Sequence, residues 1–326
     1  MKKIRVAING FGRIGRAFYK VSKENKEIEV VAVNDLGTIE SMEYLLKYDT
    51  VYGESPHTLQ GVQYLSEKDP AHLPWKDLDI DVVVESTGLY TSTEKAKVHI
   101  DAGAKRVVIT APIKDDSSPT VLMGMNEDAL KTCQISSNAS CTTNAGSPLL
   151  AILDEALGIE KALLNTVHAY TASQALVDGP SKKDLREGRA AAQNIVPSST
   201  GAALAVTKVM PELQNLFDGI SIRVPVAIGS IVDVTFVSKR QTSAEEVNEI
   251  LKKAAGEPRW KGIFAITEEE LVSSDIKGNP HASIADLAFT RVVGGNLVKV
   301  LAWYDNEMGY TYTLVRHVIK AGELIK

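Results

Sequence analysis

The length, composition and charge of the chain exclude several classes of protein. Its 326 residues are 44% apolar and 24% charged, which predicts a globular protein of two domains and not a disordered or fibrous one. The net charge of -5 is mild, and Lys and Arg are scattered, so we expect no nucleic-acid or membrane partner. Two cysteines, no membrane-length apolar run and no room for a secretory signal predict a cytoplasmic protein with reduced thiols.

Short β-branched runs alternate with helical stretches up to about residue 140. This alternation predicts an α/β fold with an N-terminal, Rossmann-like parallel sheet. The strands are expected at residues 3–9, 28–33, 80–85, 106–110 and 134–136. Within this half, Gly61 interrupts residues 59–66, and Pro70 and Pro74 follow closely, so an antiparallel excursion is expected there.

The pattern changes after about residue 160. Longer strand-like runs at residues 162–167, 220–224, 230–238 and 297–304 predict a second domain of α+β type with a mixed or antiparallel sheet. Helices are expected at residues 241–255, starting at Thr242, and at residues 312–324. Residues 171–197 are rich in Gly, Ser, Lys and Asp and are too long for a passive connection, so this loop is expected to be functional or to form an interface.

A glycine motif follows the first predicted strand. Gly10, Gly12 and Gly15 lie between that strand and a helical run, an arrangement that lets backbone approach a dinucleotide pyrophosphate at a helix N-terminus. The alternative is a tight turn without a ligand. Asp35 ends the second strand twenty residues after Gly15, where a carboxylate holds the adenosine ribose and repels a 2′-phosphate. Together the two signals predict NAD, while residues 36–38 offer no bulky neighbour, so some use of NADP stays open. Asp35 read alone also suits an ordinary strand-end turn.

Cys141 stands in a polar frame, Ser-Asn-Ala-Ser-Cys-Thr-Thr-Asn over residues 137–144, ahead of an apolar helical run. The helix macrodipole favours a thiolate there by only about 0.3 to 1 kcal/mol, so a base must assist. His168, at the end of the strand predicted at 162–167, is the candidate base. The alternative is a buried apolar thiol and a filler histidine; we interpret Cys133, which lacks the polar frame, as such a structural thiol.

These motifs resemble one family over nearly the whole chain. The matching strings cover residues 9–15, 34–35, 86–88, 137–144, 168–171, 200–201, 223–225 and 303–307. They resemble the glyceraldehyde-3-phosphate dehydrogenases of the phosphorylating, glycolytic type. The resemblance implies an NAD-binding domain at residues 1–140, a catalytic domain at 141–306 that includes the 171–197 loop, and a C-terminal helix at 307–326 that packs back on the NAD-binding domain. It also implies a homotetramer.

The resemblance further implies a reaction through a thioester. Cys141 would attack the aldehyde of D-glyceraldehyde 3-phosphate, His168 would activate the thiol, hydride would pass to NAD, and inorganic phosphate would release 1,3-bisphosphoglycerate, without a metal. Cofactor contacts are implied for Gly10, Gly12, Arg13, Ile14, Gly15, Asn34, Asp35, Lys68, Thr87, Gly88, Thr110 and Asn306. Contacts are implied to the substrate phosphate for Thr171 and Arg223, to the attacking phosphate for Ser140, Thr142, Thr200 and Gly201, and to an additional anion for Arg186.

Several positions depart from the usual pattern of that family, namely Ala145, Leu204, Met308 and residues 311–313. Ala145 leaves Cys141 without a nearby thiol, so oxidation is expected to end in a sulfenic acid or a higher oxide and not in a disulfide. Leu204 and residues 311–313 are expected to alter subunit or domain contacts. Two alternatives stay open: a relative that acts on erythrose 4-phosphate with hydrolysis in place of phosphorolysis, and a non-catalytic binding protein on the same fold.

Overall fold

The computed structural model describes residues 3–113, 115–181 and 184–325. The chain divides into two compact units. Unit 1 consists of residues 1–140 with 311–326, and unit 2 consists of residues 141–310. Within the described ranges, no helix combines the length and the apolar character that crossing a membrane requires.

Unit 1 is built on a six-stranded sheet. In chain order its elements are β1 (Ile4–Asn9), α1 (Arg13–Lys23), β2 (Ile28–Asn34), α2 (Ile39–Lys47), β3 (Tyr48–Asp49), β4 (Gly53–Glu54), β5 (Gln63–Leu65), β6 (Val82–Glu85), α3 (Thr93–Asp101), β7 (Arg106–Ile109) and β8 (Ile135–Ser137). The strands of the sheet lie in the order β5-β2-β1-β6-β7-β8, and each neighbouring pair is parallel. The predicted Rossmann-like sheet is therefore confirmed.

The sequence of the central strands explains their position. All four residues of β6, Val-Val-Val-Glu, are buried, and the last four residues of β1 are buried as well. A parallel strand covered on both faces is apolar along its length, because neither face meets water. The polar residues Asn9, Asn34 and Glu85 end β1, β2 and β6, so they gather at the carboxyl edge of the sheet.

The predicted antiparallel excursion at residues 59–66 is wrong. Only residues 63–65 form a strand, β5, and it pairs with β2 in parallel, with Tyr64 opposite Val33. Helix α2 and the β3–β4 hairpin return the chain to the edge at which β2 began, so the next strand enters in the same direction. Gly61, with a φ of +79°, forms the turn ahead of β5.

Unit 2 is built on a seven-stranded mixed sheet. Its elements are α4 (Cys141–Leu157), β9 (Ile159–Ala169), β10 (Val196–Ser199), α5 (Ala202–Val209), β11 (Phe217–Val224), β12 (Ser230–Ser238), α6 (Ala244–Ala255), β13 (Phe264–Thr267), β14 (Ser283–Val293) and β15 (Leu297–Tyr304). The order is β10-β11-β9-β12-β15-β14-β13; the β11–β9 and β13–β14 pairs are parallel and the others antiparallel. The predicted α+β unit with a mixed sheet is confirmed.

Two helices begin at other residues than predicted. Helix α6 begins at Ala244 and not at Thr242, because the hydroxyl of Ser243 accepts the Glu246 N–H and caps the helix. The last helix, α7 (Met308–Glu323), begins four residues before 312, the start that the residue pattern predicts, and one residue after 307, the start that the family resemblance implies. Asp305 explains the earlier start, since its carboxylate accepts the N–H groups of both Glu307 and Met308.

Candidate active site

The thiol of Cys141 and the imidazole of His168 lie together in unit 2. The Cys141 Sγ is 3.4 Å from the His168 Nε2. Cys141 is the first residue of α4 and is half-buried, whereas His168 is buried near the end of β9. A thiol at a helix N-terminus within reach of an imidazole has the arrangement of an activated nucleophile.

Arg223 approaches the far side of the same imidazole. Strand β11 runs parallel to β9 with Arg223 in register with His168, and the Arg223 Nη1 lies 2.6 Å from the His168 Nδ1. The backbone carbonyl of Ala169 lies 2.7 Å from the same Nδ1. A neutral ring satisfies one of these partners at a time: a protonated Nδ1 donates to Ala169 and leaves Nε2 free to accept the thiol proton. Arg223 can instead donate to the Ala169 carbonyl, which is 3.1 Å from its Nη1.

Burial and the Arg223 cation set the charge of the pair. Burial raises the pKa of the Cys141 thiol, while Arg223 and hydrogen bonding to Thr142 act in the opposite direction. Burial, together with the Arg223 cation, lowers the pKa of His168 to about 3. Burial therefore favours a neutral thiol beside a neutral imidazole, an acid–base pair between which a proton can pass when the sulfur attacks.

Tyr304 supports this pair, and the sequence analysis missed it. Its hydroxyl is 3.0 Å from the Thr142 Oγ1 and 2.8 Å from the Thr166 Oγ1, and its ring stands edge-on to His168 with centroids 5.8 Å apart. Burial raises the pKa of the Tyr304 phenol, so the hydroxyl stays protonated. The alternating pattern of β15 places Tyr304, its last residue, on the buried face of the strand. The pattern does not identify its partners, because they come from distant segments of the chain.

Ser230 and Asn306 fix the backbone beside His168. The Ser230 Oγ accepts the Ala169 N–H at 3.1 Å and donates to the Asn306 Oδ1 at 3.0 Å. All three residues are buried. These two hydrogen bonds orient the end of β9. They also engage the side-chain oxygen of Asn306, a predicted cofactor residue.

The other predicted substrate residues differ in their position and in their hydrogen-bond partners. Thr171 follows β9 and its Oγ1 is 3.1 Å from the Ser173 hydroxyl, whereas Thr200 and Gly201 precede α5, where the Thr200 Oγ1 accepts the Ala202 N–H at 3.1 Å. Ser140 is half-buried directly before Cys141. Arg186 lies on an exposed turn and pairs with Asp184, with 2.9 Å between Nη2 and Oδ2.

The glycine motif of unit 1 has the geometry of a phosphate-binding turn. Gly10 has a φ of +93°, and a Cβ there would stand 2.7 Å from the Thr87 backbone nitrogen. A Cβ on Gly15 would collide with the Gly10 carbonyl. The space beside Gly12, the N-cap of α1, is open, with no atom within 4 Å of a Cβ position. Only glycines allow this close turn and leave the helix N-terminus accessible to a pyrophosphate.

Asp35 and Asn34 lie beside this turn. The Asp35 carboxylate accepts the Phe11 N–H at 2.7 Å and the Gly37 N–H at 2.9 Å. The buried Asn34 side chain donates to the Asn9 Oδ1 at 2.7 Å. The ribose-binding carboxylate that the sequence predicts is thus held against the glycine turn by backbone donors.

A buried cluster around Glu85 joins these segments. One carboxylate oxygen of Glu85 accepts a hydrogen bond from the Asn9 Nδ2 at 2.7 Å and lies 2.9 Å from the His99 Nε2. The other oxygen accepts hydrogen bonds from both the backbone N–H and the hydroxyl of Thr87. The Trp75 indole donates to the His99 Nδ1 at 3.1 Å, so the ring proton sits on Nε2 and points to Glu85. Sequence reasoning missed this cluster because its members come from four separate segments.

The remaining cofactor candidates lie at the same edge or near it. Thr110 follows β7 and donates its backbone N–H to the Glu85 carbonyl at 3.0 Å. Gly88 has a φ of +73°, Ile14 is half-buried in α1, and Lys68 is exposed. Arg13 is paired with Asp49 at 3.0 Å between Nη1 and Oδ2. Among the described residues, no group of three or more His, Cys, Asp or Glu could hold a metal ion.

Comparison with known proteins adds to this geometry. Residues 4–93 match the family model described as the glyceraldehyde 3-phosphate dehydrogenase NAD binding domain, and residues 140–306 match the model of its C-terminal domain. The chain belongs to the glyceraldehyde-3-phosphate dehydrogenase family. Within that family, the NAD-binding match contains the glycine turn and Asp35, and the C-terminal match contains Cys141, His168 and Arg223.

Relatives in the glyceraldehyde-3-phosphate dehydrogenase family are similar over nearly their full lengths. The chain is 46% identical to a glyceraldehyde-3-phosphate dehydrogenase of Streptomyces coelicolor, with 98% of each chain covered. It is 48% identical to one from Mycobacterium avium, with 98% and 99% covered, and 47% identical to glyceraldehyde-3-phosphate dehydrogenase B of Aspergillus oryzae, with 94% and 95% covered.

Proposed function

We propose that the protein oxidises D-glyceraldehyde 3-phosphate to 1,3-bisphosphoglycerate with reduction of NAD, through a thioester on Cys141. The observation that carries this proposal is the 3.4 Å approach of the Cys141 Sγ to the His168 Nε2 at the N-terminus of α4. The family membership of the chain agrees with it, as do the names of the relatives.

The reaction begins as the Cys141 sulfur attacks the aldehyde carbon. His168 accepts the thiol proton at Nε2 while its Nδ1–H donates to the Ala169 carbonyl, which stabilises the imidazolium. A C–S bond forms, and the carbonyl oxygen takes the proton back to give a thiohemiacetal. The positive end of the α4 dipole, where Cys141 lies, favours the negative charge that develops on the carbonyl oxygen.

Oxidation converts the thiohemiacetal into a thioester. NAD, when bound, supplies the hydride acceptor. His168 removes the hydroxyl proton as the carbonyl reforms. The fit of unit 1 to NAD rests on the open space at Gly12, the backbone turn at Gly10 and the Asp35 carboxylate; Asn34, Thr87, Gly88 and Thr110 border the same edge.

Phosphate completes the reaction. A phosphate oxygen attacks the thioester carbon, the C–S bond breaks, and the thiolate leaves to regain its proton from His168. We assign Arg223 and Thr171 to the substrate phosphate and Thr142, Thr200 and Gly201 to the attacking phosphate. A cation and hydroxyl or backbone donors beside the thiol suit two anions.

The test is the initial rate of NADH formation from glyceraldehyde 3-phosphate and NAD, measured with and without inorganic phosphate. We expect a steady rate that requires phosphate. Erythrose 4-phosphate, tested in parallel, should be the poorer substrate. A rate indifferent to phosphate would instead indicate hydrolysis of the thioester, and no rate with either aldehyde would favour a binding protein.

We also propose a homotetramer in a reducing, cytoplasmic compartment. The described part of unit 2 exposes apolar side chains around a groove of about 810 Å³, among them Leu163, Leu204, Leu216 and Leu297. A contiguous apolar surface of this kind supports burial against another copy. Both cysteines are free thiols, as a reducing compartment favours. Sedimentation equilibrium tests the tetramer, and a monomeric mass at micromolar concentration would contradict it.

A further inference from the structure

His317 is a buried histidine that the proposed chemistry does not use. It lies on α7, within unit 1, and its side chain has no exposed surface. Its Nδ1 is 3.1 Å from the Asn138 Oδ1, and its Nε2 is 2.8 Å from the Ser136 Oγ. Both partners are buried as well, and they belong to the segment that leads directly to Cys141.

The two hydrogen bonds define the state of this ring. An amide oxygen only accepts, so the His317 Nδ1 carries the proton and donates to Asn138. The bare Nε2 then accepts the Ser136 hydroxyl proton. Burial lowers the pKa of His317 to about 3, which keeps the ring neutral at working pH. With one fixed donor and one fixed acceptor, the neutral ring holds the Asn138 and Ser136 side chains in fixed positions.

The segment that His317 holds has an unusual backbone. Ala139 has a φ of +55°, a left-handed backbone conformation that residues other than glycine rarely adopt, and it is fully buried. The Ser137 Oγ accepts the Ala139 N–H at 2.9 Å and donates to the Ala111 carbonyl at 2.6 Å. Such a conformation persists only where its surroundings impose it, and it occurs preferentially at functional sites.

We propose that His317 is a positioning residue for the nucleophile. Its hydrogen bond to the Asn138 side chain holds the left-handed turn at Ala139, and that turn sets the direction in which the chain enters α4 and presents the Cys141 sulfur. The inference rests on the proposed function of Cys141. The bond to Ser136 only anchors the ring.

Two substitutions of His317 separate its two bonds. In His317→Asn, the amide nitrogen falls near the position of Nδ1 and can still donate to Asn138. In His317→Gln, the longer side chain reaches the position of Nε2, so it keeps Ser136 as a partner and loses Asn138. Ser136→Ala is the matched control, because it removes the anchoring bond and leaves the Asn138 bond in place.

The readout is the rate at which iodoacetamide alkylates Cys141 in the full chain, without NAD or aldehyde, with the modified cysteine identified by peptide mass mapping. We expect His317→Gln to slow alkylation and kcat by about tenfold with KM for the aldehyde unchanged, because small displacements of a reacting group carry large rate effects. His317→Asn and Ser136→Ala should alkylate within about twofold of the unsubstituted protein. Asn138→Ala, which removes the acceptor, should reproduce the Gln variant and replaces it if that variant does not fold.

The proposal is overturned if folded His317→Gln or Asn138→Ala alkylates at the unsubstituted rate. It is equally overturned if Ser136→Ala slows alkylation as much as His317→Gln does, since general packing would then be the cause. Failure of the proposed function shows separately, as an unsubstituted protein that alkylates at Cys141 and forms no NADH.

Discussion

The strand ends of unit 1 and those of unit 2 are put to different uses. At the edge of the parallel sheet, the candidate cofactor groups are mostly backbone: the turn at Gly10, the open N-terminus of α1 at Gly12 and the loop after Glu85. At the edge of the mixed sheet, the groups are reactive side-chain atoms of Cys141, His168 and Arg223.

This difference predicts which measured property each substitution should change. Backbone donors cannot be removed one at a time, so changes at the cofactor edge of the parallel sheet act through the side chains that shape the backbone and alter affinity and stability. Side-chain atoms in unit 2 can be removed singly, so changes there alter the rate. Four substitutions test this division.

Cys141→Ser should have the largest effect. We expect kcat to fall by about 10⁴-fold or more, because a serine hydroxyl is a far weaker nucleophile and its proton is harder to remove. Affinity for NAD, measured by fluorescence titration, should be unchanged. Cys133→Ser is the control and should keep full activity, because Cys133 precedes β8 and takes no part in the Cys141–His168 pair. Equal losses in both variants would contradict the assignment of Cys141.

His168→Gln should lower kcat by about 10²- to 10⁴-fold, the usual contribution of a general base. The measurement is single-turnover formation of NADH, with alkylation of Cys141 followed in parallel. Both rates should fall while NAD affinity stays constant. If alkylation is unaffected and only turnover falls, His168 acts after thioester formation and not as the base for the thiol.

Glu85→Gln tests the other side of the comparison. The carboxylate accepts four hydrogen bonds, from Asn9, His99 and Thr87, and an amide would turn its own N–H groups toward some of those donors. We expect the free energy of unfolding to fall by about 2 kcal/mol and the NAD dissociation constant to rise, with kcat at saturating NAD nearly unchanged. A fall in kcat alone would contradict the division between the two sheet edges.

Arg223→Leu should move the pH dependence of Cys141 alkylation. Arg223 lowers the pKa of the thiol and also that of His168. Without the cation the thiol pKa rises, so the alkylation profile shifts to higher pH, by about one unit, because less thiolate forms at any given pH. Arg223→Lys keeps a cation and should shift the profile less. An unchanged or acid-shifted profile would show that Arg223 does not act on the sulfur.

The sequence predicts those features that depend on neighbours along the chain. The parallel strands, the glycine turn, Asp35, and Cys141 in its polar frame each carry a local signal, and the structure places Cys141 beside His168. The pairing direction of residues 63–65 is parallel and not antiparallel as the sequence predicts, because it depends on the path of α2 and the following hairpin.

Long-range register explains what the sequence cannot predict. Tyr304 lies opposite Ser230 across the β12–β15 pair, and only that register brings both toward His168. Likewise, only the fold brings His99 to Glu85 and Trp75 to His99. Residues such as these are ordinary in the sequence and acquire their role from the sheet.

Strand β9 has a consequence for the time scales of the site. It lies inside the sheet, bonded to β11 on one side and β12 on the other. Amide hydrogens of such an interior strand exchange with solvent only when most of the unit opens. In deuterium exchange, the residues around His168 should therefore retain hydrogen until unit 2 opens, so the base keeps its place for as long as the unit stays folded.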